Sequence, residues 1–555
     1  MPTRYAKGPH LPPPDLQPDR TYTLPEFQAY PDRFNPTMEL LDAHVHAGRG
    51  ESTAILYEDQ RLTYAQLARQ ADRLAGALRE LGVREGDRVM LRAPNIPPAL
   101  VVNFAVLKLG AILIPTSPLF SRAEIAHVVN DAEVKVMLVA APLLVEVEAA
   151  RQNFRSALQI VVIGGEPAQA AEKRFGFYGD LLKWNGPEVS PVLRDRYDPA
   201  ILLYTSGTTG LPKGTCHFVE ETLIVPDTFG RHGWRVRQDD IIGGSAPLAF
   251  GAGYSTFATI SYRFGAACSL IARFEPEKMF ETVQQHRITV LSLAPTAYRR
   301  MLQVPNAATR FDLSSVRICT GGGESLTAET YHQWKSRLGL DIYEGFGTTE
   351  MMYVFISNAG SAQPRPGSFG RLMASYEAKV ITEEGREAAP GEIGSLVARG
   401  PTSTIYWKDV EKQKRVIWTG PDGGRWNRVG DFVYRDADGY FWFVSREDDI
   451  IKSSGYRIGP EEIEEVLSKH PAVADVGVIG VPDPVRGQNA KAFIVLKSGQ
   501  PQPTAEEMID FCRGKIAVYK LPRDVQFVSE LPRTPTGKLL RRVLRAKQAE
   551  VRAGS

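Results

Sequence analysis

The chain has 555 residues, 43% hydrophobic and 23% charged, with a formal net charge of +2 at pH 7. That length exceeds what one core supports, so two or more globular domains are expected, and the near-neutral charge excludes a general nucleic-acid binder. No stretch approaches the ~18 apolar residues of a membrane span and no signal segment is expected at the N-terminus, so stable membrane insertion is not expected either.

Residues 1–36 are rich in proline (Pro9, Pro12, Pro13, Pro14, Pro18, Pro25) and read as an extended arm lying over the surface. His44 and His46 look like a metal pair, but no carboxylate or cysteine cluster accompanies them, and they read as ordinary helix residues. Thr63 is a good N-cap for a helix that Gly82 stops. A strand at 87–95, a helix at 97–110, a strand at 111–118, a helix at 122–132 and a strand at 134–140 follow. This alternation predicts a mostly parallel sheet of an α/β fold, with ligands at the carboxyl ends of its strands. The rhythm returns at 278–294 and 313–320. Near Glu377 it gives way to short strands joined by DG and EG turns (377–400, 431–448), an antiparallel β region. After Asp448 a small mixed pattern resumes: a helix at 459–471, strands at 473–483 and 489–499, and a helix at 504–516. The fold expected is therefore α/β, with a large N-terminal domain of layered α/β subdomains (1–447) and a small C-terminal α+β domain (448–555). Cys216, Cys268, Cys319 and Cys512 are far apart without metal-ligand spacing, which fits a reduced, cytoplasmic protein.

The stretch richest in chemistry is YTSGTTGLPKG, Tyr204 to Gly214. A short apolar run, 200–203, reads as a buried strand that opens into Gly207, Gly210 and Gly214, interleaved with Thr205, Ser206, Thr208 and Thr209. Glycine lets backbone amides approach a ligand, the hydroxyls add donors, and Lys213 adds a cation, the set a polyphosphate needs. An ordinary surface turn does not need so many donors followed by lysine. The Walker pattern G-x-x-x-x-G-K-[ST] also fails, because Gly214 stands where Ser or Thr should follow the lysine.

Four further stretches follow in order: CTGGGESL (319–326), IYEGFGTTE (342–350), a long run at 428–464 containing SSGYRIG, and PRTPTGKLLRR (532–542). In this order they are specific, and from about residue 40 to 545 the chain resembles the adenylate-forming superfamily of acyl-CoA synthetases, carrier-protein adenylation domains and luciferases. The resemblance implies an ATP-dependent acid–thiol ligase that forms an acyl-AMP and then transfers the acyl group to CoA, with Mg²⁺. It also implies that the β region is barrel-like and that the small domain is mobile about a hinge at Asp448. ATP binding would fall to Thr205, Ser206, Gly207, Thr208, Thr209, Gly210 and Lys213 at the β- and γ-phosphates. Gly321, Gly322, Gly323, Glu324, Tyr343, Glu344, Phe346, Gly347 and Thr349 would complete the nucleotide site, with Phe346 offering adenine a flat face and Asp431 taking the ribose hydroxyls. Glu350 would bind Mg²⁺. Thr348, Arg446 and above all Lys538 would be catalytic, Lys538 bridging the carboxylate and the α-phosphate. Swinging the small domain would bring Ser454, Gly455 and Tyr456 to the CoA tunnel.

The acid is less legible. Residues 245–254, SAPLAFGAGY, occupy the place where such enzymes begin their acyl pocket, here Ala249, Phe250, Gly251 and Tyr254. No Asp, Glu, Lys or Arg stands between Ser245 and Tyr262, which favours a neutral, flat acid, and the surrounding sequence looks most like benzoate- and 2-aminobenzoate-CoA ligases. Pro247, Phe250 and Tyr254 read equally well as core packing. A medium-chain or other small-acid CoA ligase is the second reading. A carrier-protein-loading or non-catalytic nucleotide binder is the third; retention of Lys213, Glu350, Asp431 and Lys538 argues against lost catalysis. The partners expected are a small carboxylic acid, ATP and CoA, with room for a homodimer and no nucleic acid.

Overall fold

A computed structural model describes residues 5–165, 175–205, 211–361, 363–453, 456–499, 501–533 and 539–553. Local sequence signals account for many of its elements. The Thr63 side chain accepts from the Gln66 N–H while the Gln66 side chain reciprocates, so a capping box starts the helix Tyr64–Glu80. Its Tyr64, Leu67, Ala71, Leu74 and Leu78 form a buried stripe at helical spacing. The next helix, Pro97–Lys108, is apolar nearly all round and is buried from Ala99 to Lys108 on every side, as a helix enclosed between layers must be.

Two large sheets make up most of the N-terminal domain. The first runs, in spatial order, Lys213–Phe218, Pro199–Thr205, Ile112–Thr116, Arg88–Arg92, Val136–Ala140, Gln159–Ile163 and Phe175–Phe177. All its pairings are parallel except the hairpin at the first edge. The second has a parallel centre, Ile342–Gly347, Ile318–Gly322, Val290–Leu293, Ile241–Gly244, Ala267–Leu270 and Thr53–Tyr57, with antiparallel strands at both ends. Parallel strands buried on both faces need apolar runs, which ILLY and VMLVA supply. The third sheet is antiparallel and branches at the long strand Arg425–Arg435, which pairs with Gly394–Arg399, Ile417–Thr419 and Phe441–Arg446.

The C-terminal domain has its own sheet, built from Ile451–Ser453, Tyr456–Ile458, Val473–Asp483, Gly487–Leu496 and Asp524–Phe527. A separate apolar cluster of Ile463, Leu467, Val478, Ile494 and Met508 fills it. None of its described strands joins the sheet that carries Leu202. Among the described residues, no helix is long and apolar enough to cross a membrane.

The N-terminal arm departs from expectation. It is inlaid rather than laid over the surface: Ala6, Gln17, Arg20, Phe27 and Phe34 are all buried. Arg20 bonds Glu220 (2.6 Å) and Glu221 (3.2 Å), the Thr21 N–H bonds the Gly400 carbonyl (3.1 Å), and the Arg425 N–H bonds Asp19 (2.8 Å). The arm thus stitches the edge of the first sheet to the third. Proline-rich composition hides this, because extended backbone has no periodicity to reveal a buried face. His44 is buried, its Nε2 against the Tyr262 carbonyl and its Nδ1 against Arg49, while His46 is exposed. Among the described residues no cluster of His, Cys, Asp and Glu is arranged to hold a metal on its own, and all four cysteines are buried free thiols.

Candidate active site

The antiparallel strands Pro199–Thr205 and Lys213–Phe218 bring Thr205 and Lys213 opposite one another. Ser206, Gly207, Thr208, Thr209 and Gly210 lie outside the described residues. Lys213 is partly exposed, with its ammonium 3.4 Å from Asp409. The Gly214 position is tight: a Cβ there would lie 3.0 Å from the Tyr204 ring and 3.3 Å from Trp407, so a side chain would require these neighbours to shift by a few tenths of an ångström.

A second strand group reaches the same end. Ile318–Gly322 and Ile342–Gly347 are parallel neighbours with Gly321 opposite Glu344 and Gly322 opposite Gly345. Their glycines permit close approach, since a Cβ on Gly322 would sit 3.1 Å from the Gly345 carbonyl and one on Gly347 2.2 Å from that of Tyr353. Gly323 takes φ +88°, a conformation that favours glycine. The two glutamates here are engaged by the protein. Glu324 accepts from the Thr296 N–H (2.9 Å) and from Arg299 (3.2 Å), and buried Glu344 accepts from the Leu326 N–H (2.7 Å). Burial pushes the Glu344 carboxyl well above the usual range, with Glu324 adding to the effect. Phe346 is buried, one face stacked on Phe369 at 4.7 Å and its edge toward Phe355, while Tyr343, on the other face of the strand, is half-buried.

The turn after this strand carries Thr348, Thr349 and Glu350. The Met351 N–H bonds both the Thr348 carbonyl (3.2 Å) and its hydroxyl (3.1 Å), which fixes the turn. Glu350, half-buried, accepts from the Tyr406 hydroxyl at 3.1 Å. Tyr406 in turn is paired with Thr215, two residues along the strand from Lys213. Glu350 and the hairpin that carries Lys213 are therefore neighbours, although more than a hundred residues separate them in sequence. Asp431 and Arg446 stand opposite each other in adjacent antiparallel strands, and the guanidinium donates to both carboxylate oxygens at 3.1 and 2.9 Å. Asp431 beside it, then Glu350 nearby, hold Arg446 charged above its usual range.

The segment 245–254 abuts this turn. A Cβ on Gly251 would be 2.5 Å from the Met352 carbonyl and 3.5 Å from the Thr349 Cα. Asn95 clamps the segment from the other sheet, accepting from the Leu248 N–H and donating to the Ala246 carbonyl, both at 2.9 Å. Ala249 is buried and Phe250 half-buried. Tyr254 is core: it is 1% exposed and its hydroxyl is bonded to Asn103 at 2.7 Å. Tyr353, which sequence reading passed over, sits beside this region with its hydroxyl 3.1 Å from Thr256 and its ring edge-on to Phe229 and Trp234. Nothing in its local sequence marks it, since it reads as one more aromatic at a strand start.

In the C-terminal domain, Ser454, Gly455 and Lys538 lie outside the described residues, and Tyr456 begins the strand Tyr456–Ile458. Asp448 lies in the turn between the strands Phe441–Arg446 and Ile451–Ser453, where the Asp449 N–H returns to the Arg446 carbonyl at 3.0 Å. Asp449 also pairs with Arg541 (3.4 Å) and Arg545, both on the last helix, Arg541–Ala553.

Residues 42–407 match the AMP-binding enzyme family, and residues 462–538 match the AMP-binding enzyme C-terminal domain. The chain belongs to the AMP-binding enzyme family. It is an AMP-forming acid–thiol ligase of the adenylate-forming superfamily, with the large N-terminal and small C-terminal domains of that fold. Among relatives of this AMP-binding enzyme, the acetyl-coenzyme A synthetase of Bacillus subtilis (strain 168) is 32% identical over 536 residues, 94% of this chain and 92% of that protein. An anthranilate CoA ligase solved in complex with anthranoyl-AMP is 32% identical with a TM-score of 0.89, over 95% of this chain and 99% of that one. A benzoate CoA ligase from Burkholderia xenovorans LB400 is 29% identical with a TM-score of 0.83, over 92% of this chain and 100% of that one.

Proposed function

We propose that this AMP-binding enzyme activates a neutral aromatic carboxylic acid as its acyl-AMP and passes the acyl group to CoA, releasing pyrophosphate and AMP. The observation that carries the reading is the meeting of Thr205 and Lys213, the Thr348–Glu350 turn, and the Arg446–Asp431 pair at one end of the large sheets. A carboxylate approaching a phosphate meets anion–anion repulsion, so positioning and charge neutralisation must lower the barrier. Lys213 and the loop it closes would hold the β- and γ-phosphates, Thr348 and Thr349 the α-phosphate, and Asp431 the ribose hydroxyls. Arg446 would place its charge beside the nucleotide. Lys538 would bridge the acid and the α-phosphate in adenylation only.

Glu350 fits a Mg²⁺ ion, because a single half-buried carboxylate with one oxygen engaged by Tyr406 leaves the remaining coordination positions to phosphate oxygens and water. Bound there, the ion would offset the charge of the phosphates. The small domain would begin at Asp448 and turn about it between half-reactions. Four buried thiols support a reducing, cytoplasmic setting.

The aromatic preference is supported by the uncharged element 245–254 and by the anthranilate and benzoate ligases among the structural relatives. The acetyl-coenzyme A synthetase among the sequence relatives favours a small aliphatic acid as the second reading. Pyrophosphate release with a panel of aryl and aliphatic acids, each with and without CoA, separates them. Turnover confined to short aliphatic acids would overturn the aromatic assignment, and pyrophosphate release without thioester formation would overturn CoA as the acceptor.

A further inference from the structure

Outside the sequence motifs, the segment Thr404–Asp409 touches two of the groups assigned to phosphate and metal. Its backbone is fixed on both edges. The Cys216 N–H donates to the Ile405 carbonyl at 2.7 Å and the Trp407 N–H to the Gly214 carbonyl at 2.9 Å. On the other edge the buried Gln413 side chain accepts from the Tyr406 N–H at 2.9 Å and donates to the Thr404 carbonyl at 3.0 Å. Tyr406 therefore rises from an immobilised backbone, and its ring is buried with the hydroxyl donating to Oε1 of Glu350 at 3.1 Å. A phenol hydroxyl can donate and an ionised carboxylate can only accept, so the 3.1 Å contact is a hydrogen bond from Tyr406 to Glu350.

A glutamate carboxylate turns freely about its last bond unless something fixes it. Among the described residues the Tyr406 hydroxyl is the hydrogen-bond donor to Glu350, so it biases how that carboxylate is turned. We propose that Tyr406 is a positioning residue for the metal-binding carboxylate, orienting Glu350 before the metal–nucleotide complex arrives. This rests on the assignment of Glu350 as the Mg²⁺ ligand. The competing role, a tether that merely holds two segments together, would affect folding and metal-free nucleotide binding as much as metal binding.

The test uses Tyr406→Phe, which removes only the hydroxyl, beside Glu350→Gln and the unaltered full-length protein. Mn²⁺ binding is measured as the affinity of the protein for the preformed Mn²⁺–ATP complex, from the enhancement of water proton relaxation, with no acid so that no turnover occurs. ATP affinity in EDTA and the thermal midpoint are measured alongside. Groups that orient a metal ligand typically change metal affinity by about 10–100-fold, so Tyr406→Phe should weaken Mn²⁺ about tenfold while metal-free ATP affinity and the thermal midpoint stay unchanged. Weakened Mn²⁺ binding in Glu350→Gln with unchanged binding in Tyr406→Phe would overturn the positioning role and leave the ligand assignment standing. Unchanged Mn²⁺ binding in both variants would overturn the ligand assignment and the proposal with it. Equal losses of Mn²⁺ and of metal-free ATP in Tyr406→Phe would make it a tether.

Discussion

Arg20 and Glu220, 200 residues apart in the chain, share a 2.6 Å charged hydrogen bond in which both side chains are almost wholly excluded from water. Glu220 is further held by Arg196 (2.7 Å) and the Tyr22 hydroxyl (2.6 Å), and Glu221 joins Arg20 to His217 on the strand Lys213–Phe218. The arm is therefore part of the scaffold behind the candidate site. Removing one partner of a buried pair leaves the other uncompensated, at a cost of about 3–5 kcal/mol. Arg20→Met should lower stability on that order in urea titrations.

The same variant should show a pH signature. Burial already raises the Glu220 carboxyl above the usual range, against the pull of Arg20 and Arg196. Without Arg20 the folded state holds that proton more tightly than the unfolded chain does. Stability is then fullest below the unfolded pKa and lost as pH rises, so the deficit of Arg20→Met should be larger at pH 8 than at pH 5. A pH-independent deficit would mean that Glu220 stays ionised.

Glu461 offers the matching case in the small domain. Its carboxyl is 2.9 Å from Arg541, which it shares with Glu464 and Asp449. Burial outweighs that divided attraction and pushes Glu461 from an ordinary 4.5 up to about 8. The folded-state value lies above the unfolded one, so its contribution is present below pH 4.5 and is lost as pH rises toward 8. Glu461→Gln should flatten the decline in stability across that window, as followed by thermal unfolding at stepped pH. A decline as steep as in the unaltered protein would refute the protonated state.

Gly214→Ser would install the Walker hydroxyl after Lys213. Its Cβ would lie 3.0 Å from Tyr204 and 3.3 Å from Trp407, both packed in the core. Overpacking of this kind destabilises by about 1–3 kcal/mol, so the variant should unfold earlier and bind ATP more weakly. A gain in ATP affinity would show that the loop tolerates the Walker arrangement after all.

The two half-reactions should separate by mutation. Lys538→Ala should slow pyrophosphate release on the order of 10²–10³-fold, yet spare thioester formation from supplied acyl-AMP. Asp448→Pro should do the reverse, because proline fixes φ at the proposed hinge. Among the described residues the Asp448 N–H takes no backbone partner in the turn, so proline breaks no hydrogen bond of the present arrangement. Equal damage to both steps by Lys538→Ala would make it a general binding charge.

Much was legible in the sequence because it depends on neighbours along the chain. The capping boxes at Thr63, Ser121 and Thr504, the apolar runs of the parallel strands and the change to turn-linked strands after Glu377 are all local, and the elements form where those signals stand. So is the glycine, hydroxyl and lysine order of residues 204–214, which names a phosphate site without naming its surroundings. What only the tertiary structure decided is the partner each side chain takes. Glu324 and Glu344 are turned to backbone amides, Tyr254 is sealed against Asn103, and Tyr353 and Tyr406 stand beside the site without any motif. The buried arm is the same kind of case. A hydrogen bond or an ion pair between residues far apart in the chain leaves no period in the sequence; it exists only once the fold has brought its two ends within about 3 Å.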